Sequence, residues 1–160
     1  MLELILASKS KVRKQILENN GFRCNVKPSN IDEEPIKKSL VKEGATPEIV
    51  SKNLAELKAN KVSEKLTDTI VLGADSIIDL NNEIISKPKD RTEAMNILKK
   101  LNGKTHFLIS SLCLSKNGSM IWNYTDKASL TMKLMTDDAL KNYLSKITDY
   151  ALYSYNVYQI

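Results

Sequence analysis

Apolar and polar positions switch between two periods along this chain, and each switch marks an element. Residues 2–7, "LELILA", form a short apolar run that reads as a buried strand. Val12, Ile16 and Leu17 then recur at helical spacing up to Gly21. Ser8 or Ser10 is placed to cap that helix, because a serine oxygen accepts an orphan backbone N–H. "FRCNVKP" is a weaker strand, and the polar "SNIDEEPIKKSLVKEGA" reads as loop. Thr46 and Pro47 open a long helix as N-cap and first helical residue, with Val50, Leu54, Leu57 and Val62 as its apolar stripe. "TIVLGADSIIDL" is a strongly β-branched strand that Asn81-Asn82 turns back into "EIIS". Asp90 and Glu93 resemble a capping box for the helix holding Ala94, Ile97, Leu98 and Leu101, which Gly103 ends. Asn117-Gly118 joins "THFLISSLCLS" and "SMIWNYTDKASLTMKL" as a hairpin. Thr136 caps a helix with Leu140, Tyr143 and Leu144, and "DYALYSYNVYQI" reads as the beginning of another strand. Helices mixed with crossovers and hairpins predict an α/β domain on a mixed, twisted sheet flanked by helices.

Composition narrows the partners. A chain of 160 residues defaults to a single domain, 1–160, and 42% apolar residues suffice for its core. The formal charge of +5 leans mildly toward anionic ligands. It predicts no specific nucleic-acid partner, since aromatic interleaving and any nucleic-acid motif are lacking. The longest apolar runs fall far short of a membrane span, so no membrane partner is expected. The N-terminus enters a strand-like run without a signal-peptide pattern. Cys24 and Cys113 have no metal-like spacing and make no disulfide framework, which makes a reduced cytoplasm the simplest compartment.

Three places carry candidate chemistry. Lys9, Lys11, Arg13 and Lys14 crowd the start of a helix, where the partial positive charge normally attracts acids. Free N–H groups, the hydroxyls of Ser8 and Ser10 and several cations there match what a polyphosphate needs; a capped helix with solvated lysines is the plainer alternative. Asp75 stands inside an apolar strand, which costs on the order of several kcal/mol unless compensated. A metal ion or an activated water would explain it, and so would the polar face of a half-exposed strand. Gly73 beside it permits a bulge or the close approach of another backbone. Lys58 lies within the helical stripe of Val50, Leu54 and Val62, where it either snorkels or reaches an anion in a cleft. The loop acids Asp32, Glu33 and Glu34 would complete a hard-cation site suited to magnesium if they lie opposite Asp75. Lys87-Pro88 presents one more cation at a rigid turn. The single histidine, His106, supports no catalytic arrangement.

Taken together, "LILASKSKVRKQIL", "NIDEEP", "LAELKA", "VLGADSII", "EIISKPKD", "AMNILKKLNGKTH" and "YNVYQI" resemble the Maf family of nucleoside triphosphate pyrophosphatases, relatives in fold of the inosine triphosphatases. The resemblance implies cleavage of a nucleoside triphosphate between its α- and β-phosphates, with a divalent cation, magnesium ahead of manganese. Ser8, Ser10 and Arg13 match the phosphate-binding S-x-S-x-x-R motif, Asp75 the general base, and Glu33 the acidic residue near the metal or the attacking water. The metal would then lie at Glu33 and Asp75. Lys58 and Lys87 match lysines that face the polyphosphate. Val12 and Ser76 occupy the positions where the uridine/thymidine type has Arg and Thr and the 7-methylguanosine type has Trp and Gln, so base preference stays open. Relatives often pair as dimers, so the resemblance implies a homodimer. They continue past "VYQI" with further strands, which leads to the expectation of a Maf-like domain lacking its C-terminal part. The alternative reading is a catalytically impaired, nucleotide-binding or regulatory relative.

Overall fold

The computed structural model describes residues 2–158. Strands β1 (Leu2–Leu6) and β2 (Phe22–Val26) run parallel, with Leu4 opposite Cys24, and helix α1 (Lys11–Asn19) makes the crossover that parallel neighbours require. Helices α2 (Glu33–Lys42) and α3 (Pro47–Ser63) lead to β3 (Val71–Leu80), parallel to β1 with Ile5 opposite Val71. Asn81 and Asn82, at φ 52° and 66°, turn β3 into the antiparallel β4 (Glu83–Ile85). Next come α4 (Arg91–Leu101), β5 (Thr105–Lys116) and β6 (Ser119–Thr131). Asn117 and Gly118 join the last two at φ 50° and 80°, as a tight hairpin demands. Helices α5 (Asp137–Lys146) and α6 (Asp149–Tyr155) follow. The six-stranded sheet has the order β2-β1-β3-β5-β6, with β4 paired to β3. It is the mixed α/β sheet that the pattern predicts.

The chain divides into two compact units, one through Ser76 with Ile109–Lys127, the other Ile77–Leu108 with the residues from Ala128 onward. In the first, alternate residues of β1 feed separate clusters. Leu4 and Leu6 pack with Leu72 and the partly buried Leu17, while Ile5 and Ala7 pack with Val62 and Val71. In the second, Ala94, Ile97, Leu98 and Leu101 of α4 meet Leu140 and Leu144 of α5, Leu152 and Val157.

Several expectations need correction. The segment read as loop contains α2. Glu33 and Glu34 stand in its first turn, favoured by the helix dipole, and Lys37 lies 3.2 Å from Glu34 and 3.9 Å from Glu33. Pro35 is tolerated because first-turn N–H groups have no intrahelical partner. This helix buries no residue, so it shows no apolar stripe to read. The expected closing strand is instead α6: the Thr148 hydroxyl accepts from the Ala151 N–H, and Asn156 ends the helix at φ 77°. The final residues of that expected strand, Gln159 and Ile160, lie outside the described residues. In α1, Val12 is 38% and Ile16 56% exposed, so only Leu17 of the expected three packs inward. Leu57 of α3 is likewise exposed. The Glu93 carboxylate accepts from the Lys89 N–H, one residue before the cap that its own N–H satisfies on Asp90.

One contact positions the site. Gly73 of β3 lies so close under α3 that a Cβ there would stand 2.2 Å from the Ala55 carbonyl oxygen and 2.7 Å from the Ala59 nitrogen. Of the two roles open to this glycine, the structure shows close approach of another backbone. It brings Lys58, between those alanines, against the strand residue Asp75.

Candidate active site

The β1–α1 junction is built around Arg13. Ser10 caps α1, its hydroxyl accepting from the Arg13 N–H at 3.3 Å. The Ser8 hydroxyl accepts from the Ser10 N–H at 3.2 Å and from Arg13 Nη1 at 3.1 Å. Arg13 Nη1 also donates to the Ala74 carbonyl at 3.1 Å, and Nη2 to the Ser76 hydroxyl at 3.4 Å. The guanidinium is thereby fixed beside the end of the helix. No acid stands in the first turn of α1, so the positive end of this helix has no internal counter-charge. Lys14 pairs with Glu18, one turn further along α1, at 3.5 Å.

The acid half comes from three elements of the same unit. Every residue of β3 but Ser76 is buried, and Asp75 is 4% exposed, so the half-exposed strand is excluded. Lys58 does not snorkel: it is 6% exposed. Its Nζ lies 2.7 Å from Glu33 Oε1, 2.8 Å from Asp75 Oδ1 and 3.3 Å from the Ala74 carbonyl oxygen. The second Asp75 oxygen, Oδ2, is buried without a hydrogen-bond partner. Burial pushes the Asp75 carboxyl above its ordinary value and Glu33 adds to this, while Lys58 and Arg13 pull it back. Burial also draws the Arg13 guanidinium below its ordinary value, against Asp75 and Glu33.

The first unit thus gathers Ser8, Ser10, Arg13, Glu33, Lys58, Asp75 and Ser76. Val12 sits on the outer side of α1. Lys87 follows β4 in the second unit, outside this set. His106 is buried, its Nε2 hydrogen-bonded to the Tyr158 hydroxyl at 2.7 Å, and both cysteines are buried and free. Sequence reasoning missed Ser110 of β5, whose hydroxyl lies 3.2 Å from that of Ser76. It also missed the Ala74 carbonyl, which both Arg13 and Lys58 share. A polar pair, Ser110-Ser111, interrupting the apolar run from Phe107 to Leu114 was the available signal for the first; a carbonyl leaves none.

Among the described residues no group of three or more His, Cys, Asp or Glu side chains is arranged to hold a metal ion. Two carboxylate oxygens, from Glu33 and Asp75, nevertheless converge on one cation, the Lys58 ammonium. Such a hard-oxygen pair fits magnesium, which takes one or two carboxylates and completes its shell with phosphate oxygens and water. No helix among the described residues is long and apolar enough to cross a membrane.

Comparison with known proteins places this chain among relatives. The family described as Maf-like protein matches residues 3–154. A nucleoside triphosphate pyrophosphatase of Pelagibacter ubique is 68% identical over 158 residues, covering 99% of this chain and 81% of that protein. A 7-methyl-GTP pyrophosphatase of Rhizobium etli is 37% identical, covering 99% of this chain and 79% of that one. The solved structure of a HAM1 protein from Coxiella burnetii superposes with a TM-score of 0.53 at 16% identity, over 81% of this chain and 71% of that chain. At that identity the likeness speaks for the fold alone.

Proposed function

The chain belongs to the Maf family, and on that premise we propose that it hydrolyses nucleoside triphosphates to the nucleoside monophosphate and pyrophosphate. One observation carries the assignment of residues: two cations, Arg13 and Lys58, meet on the Ala74 carbonyl beside a buried acid with an unpartnered oxygen.

Each side chain then has a task. Ser10 fixes the start of α1, so the first-turn N–H groups face phosphate oxygens. Arg13 grips the phosphate chain through its fork, with Ser8 and Ser76 holding the guanidinium in orientation. Lys58 neutralises charge that grows on the leaving pyrophosphate. Asp75 Oδ2 accepts a proton from the attacking water. The water oxygen bonds to the α-phosphorus, the bond to the bridging oxygen breaks, and pyrophosphate leaves with that oxygen. A burial-raised pKa suits Asp75 to this task, since its basicity exceeds that of a solvated carboxylate.

The resemblance also implies a divalent cation, and the donor set fits: Asp75 through Oδ1 and Glu33 through Oε1 would hold it. When bound it would offset phosphate charge and acidify a bound water. The two buried free cysteines accord with a reducing compartment such as the cytoplasm. Homodimer assembly belongs to the same reading and is checked by light scattering.

The test is to incubate the purified chain and magnesium with UTP, dTTP, 7-methyl-GTP, ITP and the common triphosphates, and to measure pyrophosphate. Release from at least one of them is expected. Tight nucleotide binding with no pyrophosphate from any would overturn the assignment.

A further inference from the structure

We propose that Lys58 is a resident cation that keeps the divalent metal out of the free protein and releases the two carboxylates only when a triphosphate draws its ammonium away. This deepens the pyrophosphatase reading and rests on it.

The geometry is that of a filled cation site. The Lys58 ammonium meets three oxygens, at 2.7 Å on Glu33, 2.8 Å on Asp75 and 3.3 Å on the Ala74 carbonyl. An ammonium has three donors, so all are used. Magnesium on the same carboxylate oxygens would sit about 2.1 Å from each, in the space where Nζ now lies. Two cations that close in a buried site repel strongly, so occupation by one excludes the other.

The backbone of Lys58 is not free to make room. Its neighbours Ala55 and Ala59 hold α3 against Gly73 without space for a methyl group. The flexible four-carbon stem is what can move. Arg13 and Lys58 donate to the same carbonyl oxygen, at 3.1 Å and 3.3 Å. A phosphate chain bound at Arg13 and the α1 N-terminus therefore comes within reach of the Lys58 ammonium. The ammonium transfers from carboxylates to phosphate, and Glu33 Oε1 and Asp75 Oδ1 become available together. Asp75 Oδ2, which has no hydrogen-bond partner in this structure, remains for the water proton. Metal and triphosphate binding are then coupled, and a ligand with too short a phosphate chain leaves the site closed.

The test uses manganese alone as probe, without nucleotide, with the unbound ion followed by electron paramagnetic resonance. Lys58→Met and Lys58→Gln should each bind one manganese at least tenfold more tightly than wild type. Lys58→Arg, which keeps a cation in place, should stay like wild type. Adding Glu33→Gln to Lys58→Met should remove the gain. Equal manganese affinity in wild type and in whichever neutral variant folds, or a gain that survives Glu33→Gln, would overturn the proposal. A variant-independent arm follows the Lys58 ammonium of the wild type by NMR while a hydrolysis-resistant triphosphate analogue is added in EDTA. A shifted signal is expected, and an unmoved one contradicts the exchange. Pyrophosphate release by the wild type is scored separately, so failure of the exchange and failure of the functional reading are told apart.

Discussion

A single methyl group at Gly73 should damage both the packing and the chemistry. In Gly73→Ala the new Cβ would stand 2.2 Å from the Ala55 carbonyl oxygen, 2.7 Å from the Ala59 nitrogen and 2.9 Å from the Ala59 Cβ. A carbon normally stays about 3.3 Å from a carbonyl oxygen, so α3 must retreat by roughly 1 Å. Two of the three obstacles are helix backbone and cannot rotate aside. Overpacking costs about 1–3 kcal/mol, and backbone obstacles put this case at or above the top of that range. Lys58 rides on the same turn of α3, so the retreat also lengthens its 2.8 Å contact with Asp75. A misplacement of about 1 Å in a site costs on the order of 100-fold in rate. Urea denaturation and kcat/KM measure the two effects. Ala59→Gly in the same chain removes only the 2.9 Å contact and should recover little. A Gly73→Ala protein with the wild-type urea midpoint and wild-type turnover would refute the reasoning, as would full rescue by Ala59→Gly.

Further expectations follow from the same contacts. Asp75→Asn keeps the shape but cannot take a proton, so pyrophosphate release should fall by about 100- to 10,000-fold while circular dichroism stays unchanged. Arg13→Ala should weaken triphosphate binding more than monophosphate binding in calorimetry, and Arg13→Lys should restore it only in part, lacking the fork. Because burial raises the Asp75 pKa, its carboxylate forms only above the ordinary aspartate value of about 3.9, and the acid limb of the kcat/KM profile should lie above that value. Lys58→Gln removes the largest opposing charge and should move that limb to higher pH. The native state holds this proton more tightly than the unfolded chain, so the Asp75 contribution to stability falls as pH rises from the ordinary value through the raised one; Asp75→Asn should flatten that part of the stability profile. In the second unit, Arg91 donates to the Leu144 and Ile147 carbonyls and to Asp149, so Arg91→Ala should lower stability by about 1.5 kcal/mol in denaturant titration.

Elements with a buried stripe or a fixed turn chemistry were legible before the structure. Val50 and Leu54 marked α3, Asn117-Gly118 the hairpin, and Thr136 the start of α5. Helix α2 was not, because its stability comes from first-turn acids, the Lys37 ion pairs and contact with α3 rather than from a buried face. Helix α6 was hidden by its tyrosines, which favour strands locally, whereas the Thr148 cap and the burial of Leu152 decide otherwise. At the site, an acid in an apolar strand and a lysine in an apolar stripe could each be seen as anomalous. That the two answer one another could not, since their distance depends on how closely Gly73 lets α3 approach β3. The motif that groups Ser8, Ser10 and Arg13 came from resemblance; the structure adds that Ser8 serves Arg13 directly.

The bond that breaks decides the account. The purified chain, magnesium and a substrate from the panel, in water enriched in oxygen-18, are followed by phosphorus NMR with Asp75→Asn in parallel. Equal amounts of monophosphate and pyrophosphate should form, with the heavy oxygen in the monophosphate and almost no turnover by the variant. Diphosphate and orthophosphate as products, or an Asp75→Asn protein as fast as the wild type, would contradict the mechanism derived from this site.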